Sequence, residues 1–336
     1  MEADPEYFIQ GVRAGDRKIL AKTITLIESS LATHQQLVTT VLDELLPDTG
    51  NTIRLGITGV PGAGKSTFIE NMGLQLIDQG YRLAVLAVDP SSARSGGSIL
   101  GDKTRMEKLS ARPEAFIRPS PSGGSLGGVS RKTREAMLIC EAAGFDVIIV
   151  ETVGVGQSEA SVASMVDFFL VLILAGAGDE LQGIKRGILE LADAIAVNKA
   201  DGENIENAKK TRKQYEDALH LLTPSSSTWV PSVLTCSALT MSGIEEIWHT
   251  VLNHRQQMIK SGDLAAKRKR QALDWMQYLL EEGLKEWFYS TPQVRHRLPE
   301  LKRAVEVGET TPTAAVKTLL DIFTRPKERN AYGSQC

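Results

Sequence analysis

The chain has 336 residues and a hydrophobic content of 42%, enough for one large α/β domain with additional elements. Its formal net charge of −3 and pI of about 6.0 exclude a strongly basic protein, so we expect neither a nucleic-acid partner nor a membrane surface. The three cysteines are far apart and form no C-x-x-C pair, so neither a zinc site nor a disulfide framework is predicted.

No targeting or membrane-spanning segment is predicted. Residues 1–6 are acidic and contain no apolar run, unlike a secretory signal or a transit peptide. The most apolar segment, residues 166–178, is too short to cross a bilayer and contains Asp167. Together with the cysteine pattern, this favours a reduced, cytoplasmic setting.

Residues 1–48 are predicted to be a helical extension that packs on the core. Apolar residues recur at helical spacing from residue 5 onward, beginning with Phe8 and Val12. Breaks are expected at Gly15 and over residues 32–34.

A phosphate-binding loop follows the first predicted strand, residues 51–58. The sequence GVPGAGKST at 59–67 matches G-x-x-x-x-G-K-[ST], and residues 67–79 have the apolar spacing of a helix. Glycines let the loop point its N–H groups inward, where they and the helix N-terminus form an anion site. The predicted nucleotide contacts are Gly59, Pro61, Gly62, Ala63, Gly64, Lys65, Ser66 and Thr67. Lys65 would reach the β- and γ-phosphates and Ser66 would bind Mg²⁺, and the alternative is a glycine-rich turn in an unrelated βα unit.

An acidic residue follows the second predicted strand, residues 82–88. Asp89 would lie at the carboxyl edge of a parallel sheet, where it could bind Mg²⁺ through water. The alternative is a turn or capping residue before Pro90. The neighbouring phosphate loop favours the metal role.

Residues 93–130 are rich in Gly and Ser, and we predict a loop that responds to the nucleotide γ-phosphate. Asp102, Lys103, Thr104 and Arg105 are candidates for Mg²⁺ or phosphate contacts. A solvated polar loop without a ligand is the alternative.

A near-continuous apolar strand is predicted over residues 145–154, as in a parallel sheet covered on both faces. It ends in E-x-x-G, where Glu151 would support Mg²⁺ through water and the Gly154 amide would sense the γ-phosphate. Small signalling GTPases have a water-positioning glutamine next, but this chain has Val155, and Gln157 is further on. We therefore expect slow intrinsic hydrolysis that a partner or a conformational change accelerates.

The sequence N-K-x-D at residues 198–201 follows a predicted buried strand and selects the base. Asp201 can accept hydrogen bonds from the N1–H and the exocyclic amine of guanine. Adenine offers neither and would leave a buried carboxylate unpaired. Lys199 would lie along the purine face, and Asn198 would tie this loop to the phosphate loop.

A further strand, predicted over residues 233–239, ends in Ser-Ala, where GTPases offer a backbone N–H to guanine O6. The predicted contacts here are Ser237, Ala238 and Leu239. Its position downstream of N-K-x-D supports the guanine interpretation.

The pattern changes beyond about residue 262 to helices without strands, over residues 264–287, 294–307 and 313–323. The basic run at 267–270 is predicted to be a solvated helix face. We divide the chain into an N-terminal extension (1–48), a GTPase domain (49–261), a helical arm (262–325) and a disordered tail (326–336).

Four stretches closely resemble the MeaB/ArgK family, the G-protein chaperones of methylmalonyl-CoA mutase. They are VDPSS at 88–92, GGSILGDKTRM at 96–106, ETVGVGQSE at 151–159 and GDELQGIK at 178–185. The resemblance covers roughly residues 5–325, and none of these stretches follows from periodicity.

The resemblance implies a mostly parallel P-loop GTPase sheet flanked by helices, with a C-terminal arm through which two copies form a homodimer. It implies a cytoplasmic protein that binds GTP or GDP with Mg²⁺ and associates with methylmalonyl-CoA mutase or a related adenosylcobalamin-dependent mutase. GTP hydrolysis would gate cofactor loading and help to protect or reactivate the mutase.

Carried onto this chain, the resemblance implies that Lys65 and Ser66 hold phosphate and Mg²⁺. It places three acidic residues around the metal, namely Asp89, Asp102 and Glu151. Gln182 and Lys185 would lie in a third switch loop that signals to the mutase, with Gln157 as a further switch residue. From the residues alone, 175–187 is an ordinary strand-to-helix loop.

Three other classes share parts of this pattern. A GTPase that inserts nickel, zinc or cobalt would carry His-rich runs or paired cysteines, whereas this chain has five scattered His. A partition or cell-division ATPase would have an additional lysine early in the loop, where this chain has Val60. A non-enzymatic module would bind GTP without turnover, which Lys65, Ser66 and Glu151 argue against. An older label for the family is that of a transport-linked kinase, but this sequence contains no protein-kinase catalytic loop.

Overall fold

The computed structural model describes residues 4–89, 106–121, 126–152, 158–175, 186–222 and 228–324. These residues form two compact units, the first ending at Arg268 and the second beginning at Lys269. Within them, no helix is long and apolar enough to cross a membrane. The domain boundaries given above stay predictions.

A parallel sheet forms the centre of the first unit. Its described strands are β1 (Ile53–Gly59), β2 (Leu83–Asp89), β3 (Ala115–Pro121), β4 (Val147–Thr152), β5 (Phe168–Leu174), β6 (Ala194–Asn198) and β7 (Ser232–Thr235). They pair in the order β3-β2-β4-β1-β5-β6-β7, and every neighbouring pair is parallel. The predicted parallel sheet flanked by helices is therefore confirmed, and the carboxyl ends of all these strands meet at one edge.

The described helices of the first unit are α1 (Pro5–Arg13), α2 (Arg17–Glu28), α3 (Ala32–Leu45), α4 (Lys65–Asp78), α5 (Glu107–Ser110), α6 (Leu126–Ala142), α7 (Ser158–Ala163), α8 (Arg186–Leu189), α9 (Ile205–Leu222) and α10 (Ile244–Ser261). Helix α11 (Asp263–Ser290) begins in the first unit, and the second unit also contains α12 (Pro292–Glu306) and α13 (Pro312–Thr324). Short 3-10 turns occupy Leu46–Asp48 and Gly202–Asn204.

Both faces of the sheet are buried, as the apolar strands predicted. In β4, Val147 and Ile149 face the layer that contains α4, α5 and α10. Ile148 and Val150 alternate with them and face the layer of α6, α7 and α9, to which the N-terminal helices add. All four side chains are fully buried, because successive residues of a strand point to opposite faces.

The N-terminal helices are separated at two breaks, one of which differs from expectation. Gly15 has a φ of +67°, a conformation that glycine adopts without a steric cost, and α2 begins after its N-cap Asp16. The second break lies before Ala32, so the prediction over residues 32–34 is wrong. Ser29 and Leu31 have extended backbones. The Ser29 hydroxyl, which lies between α2 and α3, has a hydrogen-bond partner in His34 Nδ1 at 2.8 Å.

The prediction of a loop-rich stretch over residues 93–130 is wrong in part. Helix α5, strand β3 and the start of α6 fall within this range. Pro119 and Pro121 in β3 cannot donate to a ladder, which makes the segment look unlike a strand. They are tolerated because β3 is the edge strand of the sheet.

The basic run at 267–270 is not uniformly solvated, and its first two residues bind the sheet. Arg268 forms a bidentate pair with Asp167, with Nε and Nη2 at 2.8 and 2.6 Å from the two carboxylate oxygens. Lys267 Nζ donates to the Asp167 carbonyl at 2.6 Å and lies 3.5 Å from Asp193. Burial lowers the pKa of Arg268, but the hydrogen bond and charge of Asp167 outweigh it and leave the pKa raised.

Candidate nucleotide site

The phosphate loop connects β1 to α4 and has a backbone that requires glycine. Gly64 has a φ of +86°, and a Cβ there would lie 2.7 Å from Asn198 Nδ2. A Cβ on Gly59 would lie 2.2 Å from the Leu172 carbonyl oxygen of the neighbouring strand β5. Side chains at these positions would therefore collide with the strand or the base-selecting loop.

Lys65 is the first residue of α4 and lies over its own loop. Its Nζ donates to the carbonyl oxygens of Gly59 and Val60 at 2.8 and 3.2 Å, and the side chain is 9% exposed. These bonds hold an ammonium group at the mouth of the loop, where it can bind anionic oxygens.

Asn198 joins three segments of the site. Its Nδ2 donates to the Ala63 carbonyl at 2.7 Å, so the predicted tie to the phosphate loop is present. Its Oδ1 accepts from the Ala238 amide at 2.9 Å and lies 3.6 Å from Cys236 Sγ. Because Asn198 is 1% exposed, water competes little with these bonds.

Asp201 is held in place by the Ser-Ala loop. Ser237 Oγ donates a short hydrogen bond to Asp201 Oδ2, and the Thr240 amide donates to the same hydroxyl at 3.1 Å. Lys199 has a φ of +60°, unusual for a residue other than glycine and frequent at functional sites. Strand β7 ends at Thr235, so residues 237–239 are loop and not strand as predicted.

A hydroxyl and a carboxylate lie close together near the carboxyl ends of β1 and β4. Ser66 Oγ lies 3.3 Å from Glu151 Oε1, and β2 is paired with β4 next to Glu151. Strand β2 ends at Asp89, whose side chain is outside the described part of the structure. In the described ranges, no group of three or more His, Cys, Asp or Glu side chains could hold a metal ion by itself.

Several predicted residues cannot be placed. Asp102, Gly154, Gln157, Gln182 and Lys185 all lie outside the described residues. The roles proposed for them therefore stay predictions.

Two residues near the site were missed by the sequence analysis. Cys236 contacts Asn198, and burial raises the pKa of its thiol to about 12, so the thiol stays protonated. Asn71 on α4 donates to the Ala238 carbonyl at 2.6 Å. The only sequence signal for Asn71 is a polar residue beside the apolar Met72, which is too weak to indicate a role.

The sheet, the phosphate loop between β1 and α4, and the N-K-x-D loop joined to it by Asn198 together define a P-loop GTPase. The sequence model of the family described as "Methylmalonyl Co-A mutase-associated GTPase MeaB" matches residues 20–293. The chain belongs to this family, which confirms the resemblance found in the sequence. It is therefore a GTPase and binds guanine nucleotides.

Known relatives match nearly the whole chain. A putative GTPase of Caulobacter vibrioides is 56% identical over 92% of this chain and 95% of its own length. The mouse mitochondrial protein named methylmalonic aciduria type A homolog is 47% identical over 93% of this chain and 78% of its own length. A solved structure described as a LAO/AO transport system kinase has a TM-score of 0.76 and 42% identity, covering 96% of this chain and 98% of that one.

Proposed function

We propose that this GTPase is a chaperone of methylmalonyl-CoA mutase, or of a related adenosylcobalamin-dependent mutase. GTP hydrolysis would gate adenosylcobalamin loading and help to protect or reactivate the mutase. The observation that carries this proposal is the family match over residues 20–293, because that family is described as mutase-associated. The name of the mouse relative points the same way. We further propose a cytoplasmic location, which cell fractionation would test.

The proposed nucleotide contacts divide between two ends of the site. The phosphate end is formed by residues 59–67, where the loop amides and the Lys65 ammonium neutralise phosphate oxygens. The base end is formed by Asn198, Lys199 and Asp201 with residues 237–239. Asn198 bonds to both ends, so binding at one end is expected to order the other.

The described residues fit a magnesium ion beside the phosphate loop. Ser66 and Glu151 bring a hydroxyl and a carboxylate together, and Mg²⁺ prefers oxygen ligands with several waters. We propose that Ser66 binds the ion directly and that Glu151, Asp89 and Asp102 hold its waters. The ion would supply charge neutralisation on the phosphates, while Lys65 and the loop amides orient them.

Slow intrinsic hydrolysis follows from the sequence after E-x-x-G. Val155 has no group that could orient water, so the proposed catalytic set of Lys65, Asp89, Glu151 and Gly154 lacks a water-positioning side chain. We propose that the mutase completes the site through the switch residues Gln157, Gln182 and Lys185.

GTP turnover by the full-length protein is expected to rise at least about tenfold when purified methylmalonyl-CoA mutase is added, because a partner that completes the active site accelerates hydrolysis by far more than this in other GTPases. Phosphate release would be measured with and without the mutase, with Lys65→Ala as the blank. Turnover that does not change when the mutase is added would contradict the choice of partner but not the GTPase activity. Metal delivery to another enzyme would be tested next.

We propose a homodimer formed through the second unit. Helix α11 leaves an apolar stripe exposed to solvent, with spacings of three and four residues as in a coiled-coil seam. Its members are Leu273, Met276, Leu280, Leu284 and Trp287, each at least 52% exposed. A surface of this kind fits the same stripe on a second copy of the chain.

Replacing Leu280 with glutamate is expected to convert the dimer to monomer, because a carboxylate would be buried without a partner at the seam. Sedimentation velocity of the full chain would measure this, with Glu286→Ala, an exposed position on the same helix, as control. A dimer that persists in Leu280→Glu would contradict pairing through this stripe.

A further inference from the structure

The helix that follows the phosphate loop also holds the loop that faces the base. Asn71 on α4 donates from Nδ2 to the carbonyl oxygen of Ala238 at 2.6 Å. Asn71 is half-buried and Ala238 is 4% exposed, so this bond is sheltered from water. It joins two segments that are far apart in sequence and belong to opposite ends of the nucleotide site.

Ala238 is held at both of its backbone polar groups. Its N–H donates to Asn198 Oδ1 at 2.9 Å, while its carbonyl accepts from Asn71. The Ala238 amide is therefore already paired with Asn198. Within the part of the chain that the structure describes, the next amide, that of Leu239, makes no hydrogen bond.

The Ala238 carbonyl and the Leu239 N–H belong to the same peptide unit. That unit is planar and trans, so its C=O and N–H point in opposite directions. Because Asn71 draws the carbonyl towards α4, it turns the Leu239 N–H away from α4.

We propose that Asn71 is a positioning residue for guanine specificity, which acts through the Ala238 carbonyl to aim the Leu239 N–H at guanine O6. The inference rests on the proposed guanine site. Guanine O6 only accepts hydrogen bonds, whereas the adenine amine at that position only donates and would meet another donor. Asp201 tests the N1 and C2 positions, and the Leu239 amide tests C6 independently.

The test compares GDP with 6-thio-GDP on the full-length protein by calorimetry. The thio base keeps both donors that Asp201 recognises and replaces O6 with sulfur, a weaker acceptor. The wild type is expected to prefer GDP. Asn71→Ala is expected to weaken GDP binding about three- to tenfold and 6-thio-GDP binding less than about twofold, so that the preference shrinks.

Two further variants test whether the preference for GDP depends on the hydrogen bond of Asn71 or on the packing of α4. Asn71→Asp keeps the shape but replaces the donor that faces the carbonyl, and is expected to lose the preference as well. Gln75→Ala, one turn further along α4, is expected to keep it. The ratio of the two affinities does not depend on the folded fraction, so a partly unfolded variant still gives a result.

The inference would be overturned if Asn71→Ala weakened the binding of GDP and 6-thio-GDP equally, or weakened neither. A wild type that binds ADP as well as GDP would instead overturn the proposed guanine site. The two failures are therefore distinguishable.

Discussion

Asp201→Asn is expected to lower GTP affinity about 100-fold or more and to make xanthosine triphosphate the preferred nucleotide. In the proposed site the carboxylate would accept from the guanine N1–H and the C2 amine, and an amide nitrogen in its place would oppose that amine with another donor. Xanthine carries a carbonyl at C2, which the same amide nitrogen can bind.

The contacts of Asp201 allow Asp201→Asn to change the preferred nucleotide without disturbing the loop. Ser237 Oγ donates to one carboxylate oxygen, and an asparagine can offer its carbonyl oxygen to this bond. The amide nitrogen is then left on the other side, so the substitution keeps the shape and the anchoring of the side chain. No new cavity or clash is introduced.

Affinities of wild type and variant for GTP and XTP would be measured by competition against a fluorescent nucleotide. Glu203→Gln is the matched control, since Glu203 is an exposed acidic residue in the same loop. If Asp201→Asn kept GTP affinity within about threefold of wild type, Asp201 would not read the base.

Residues at strand ends could be predicted from the sequence because they belong to short motifs of consecutive residues. The phosphate loop follows β1 and the N-K-x-D loop follows β6, with strand β5 between them in the sheet. In a parallel sheet these ends meet at one edge, so the contact between Asn198 and the phosphate loop could be predicted before the structure.

Single polar residues that act across the fold could not be predicted. Asn71 lies inside a helix and contacts Ala238, a loop residue far along the chain, and no local pattern indicates that pairing. Lys267 and Arg268 have the composition of a solvated helix face, and only the position of Asp167 shows that they bind the sheet. Strand β3 was missed for a different reason, because its prolines fit only an edge strand.

Arg268→Ala is expected to lower the free energy of unfolding by about 3–5 kcal/mol, because it leaves a buried carboxylate without its partner. The Asp167 side chain is 5% exposed and the Arg268 side chain 17%, so water cannot replace the lost bonds readily. In the variant, Asp167 would keep the hydrogen bond from the Arg54 amide, at 3.0 Å.

The cost is raised further by backbone groups that depend on the same guanidinium. Arg268 Nη2 donates to the Thr52 carbonyl at 2.7 Å, and Nη1 donates to the Gly50 carbonyl. Both carbonyls lie just before β1, the strand that leads into the phosphate loop. Arg268→Lys is expected to have an intermediate effect, since an ammonium cannot form the bidentate pair and reach both carbonyls.

Urea unfolding followed by circular dichroism would measure these differences, with Arg270→Ala as the matched control from the same basic run. Arg270 is exposed, so its replacement is expected to change stability by less than about 0.5 kcal/mol. Asp167→Ala combined with Arg268→Ala should cost less than the sum of the single changes, because removing both partners leaves no unpaired buried charge. Equal stabilities of Arg268→Ala and Arg270→Ala would show that the run is a solvated face after all, as its composition alone suggested.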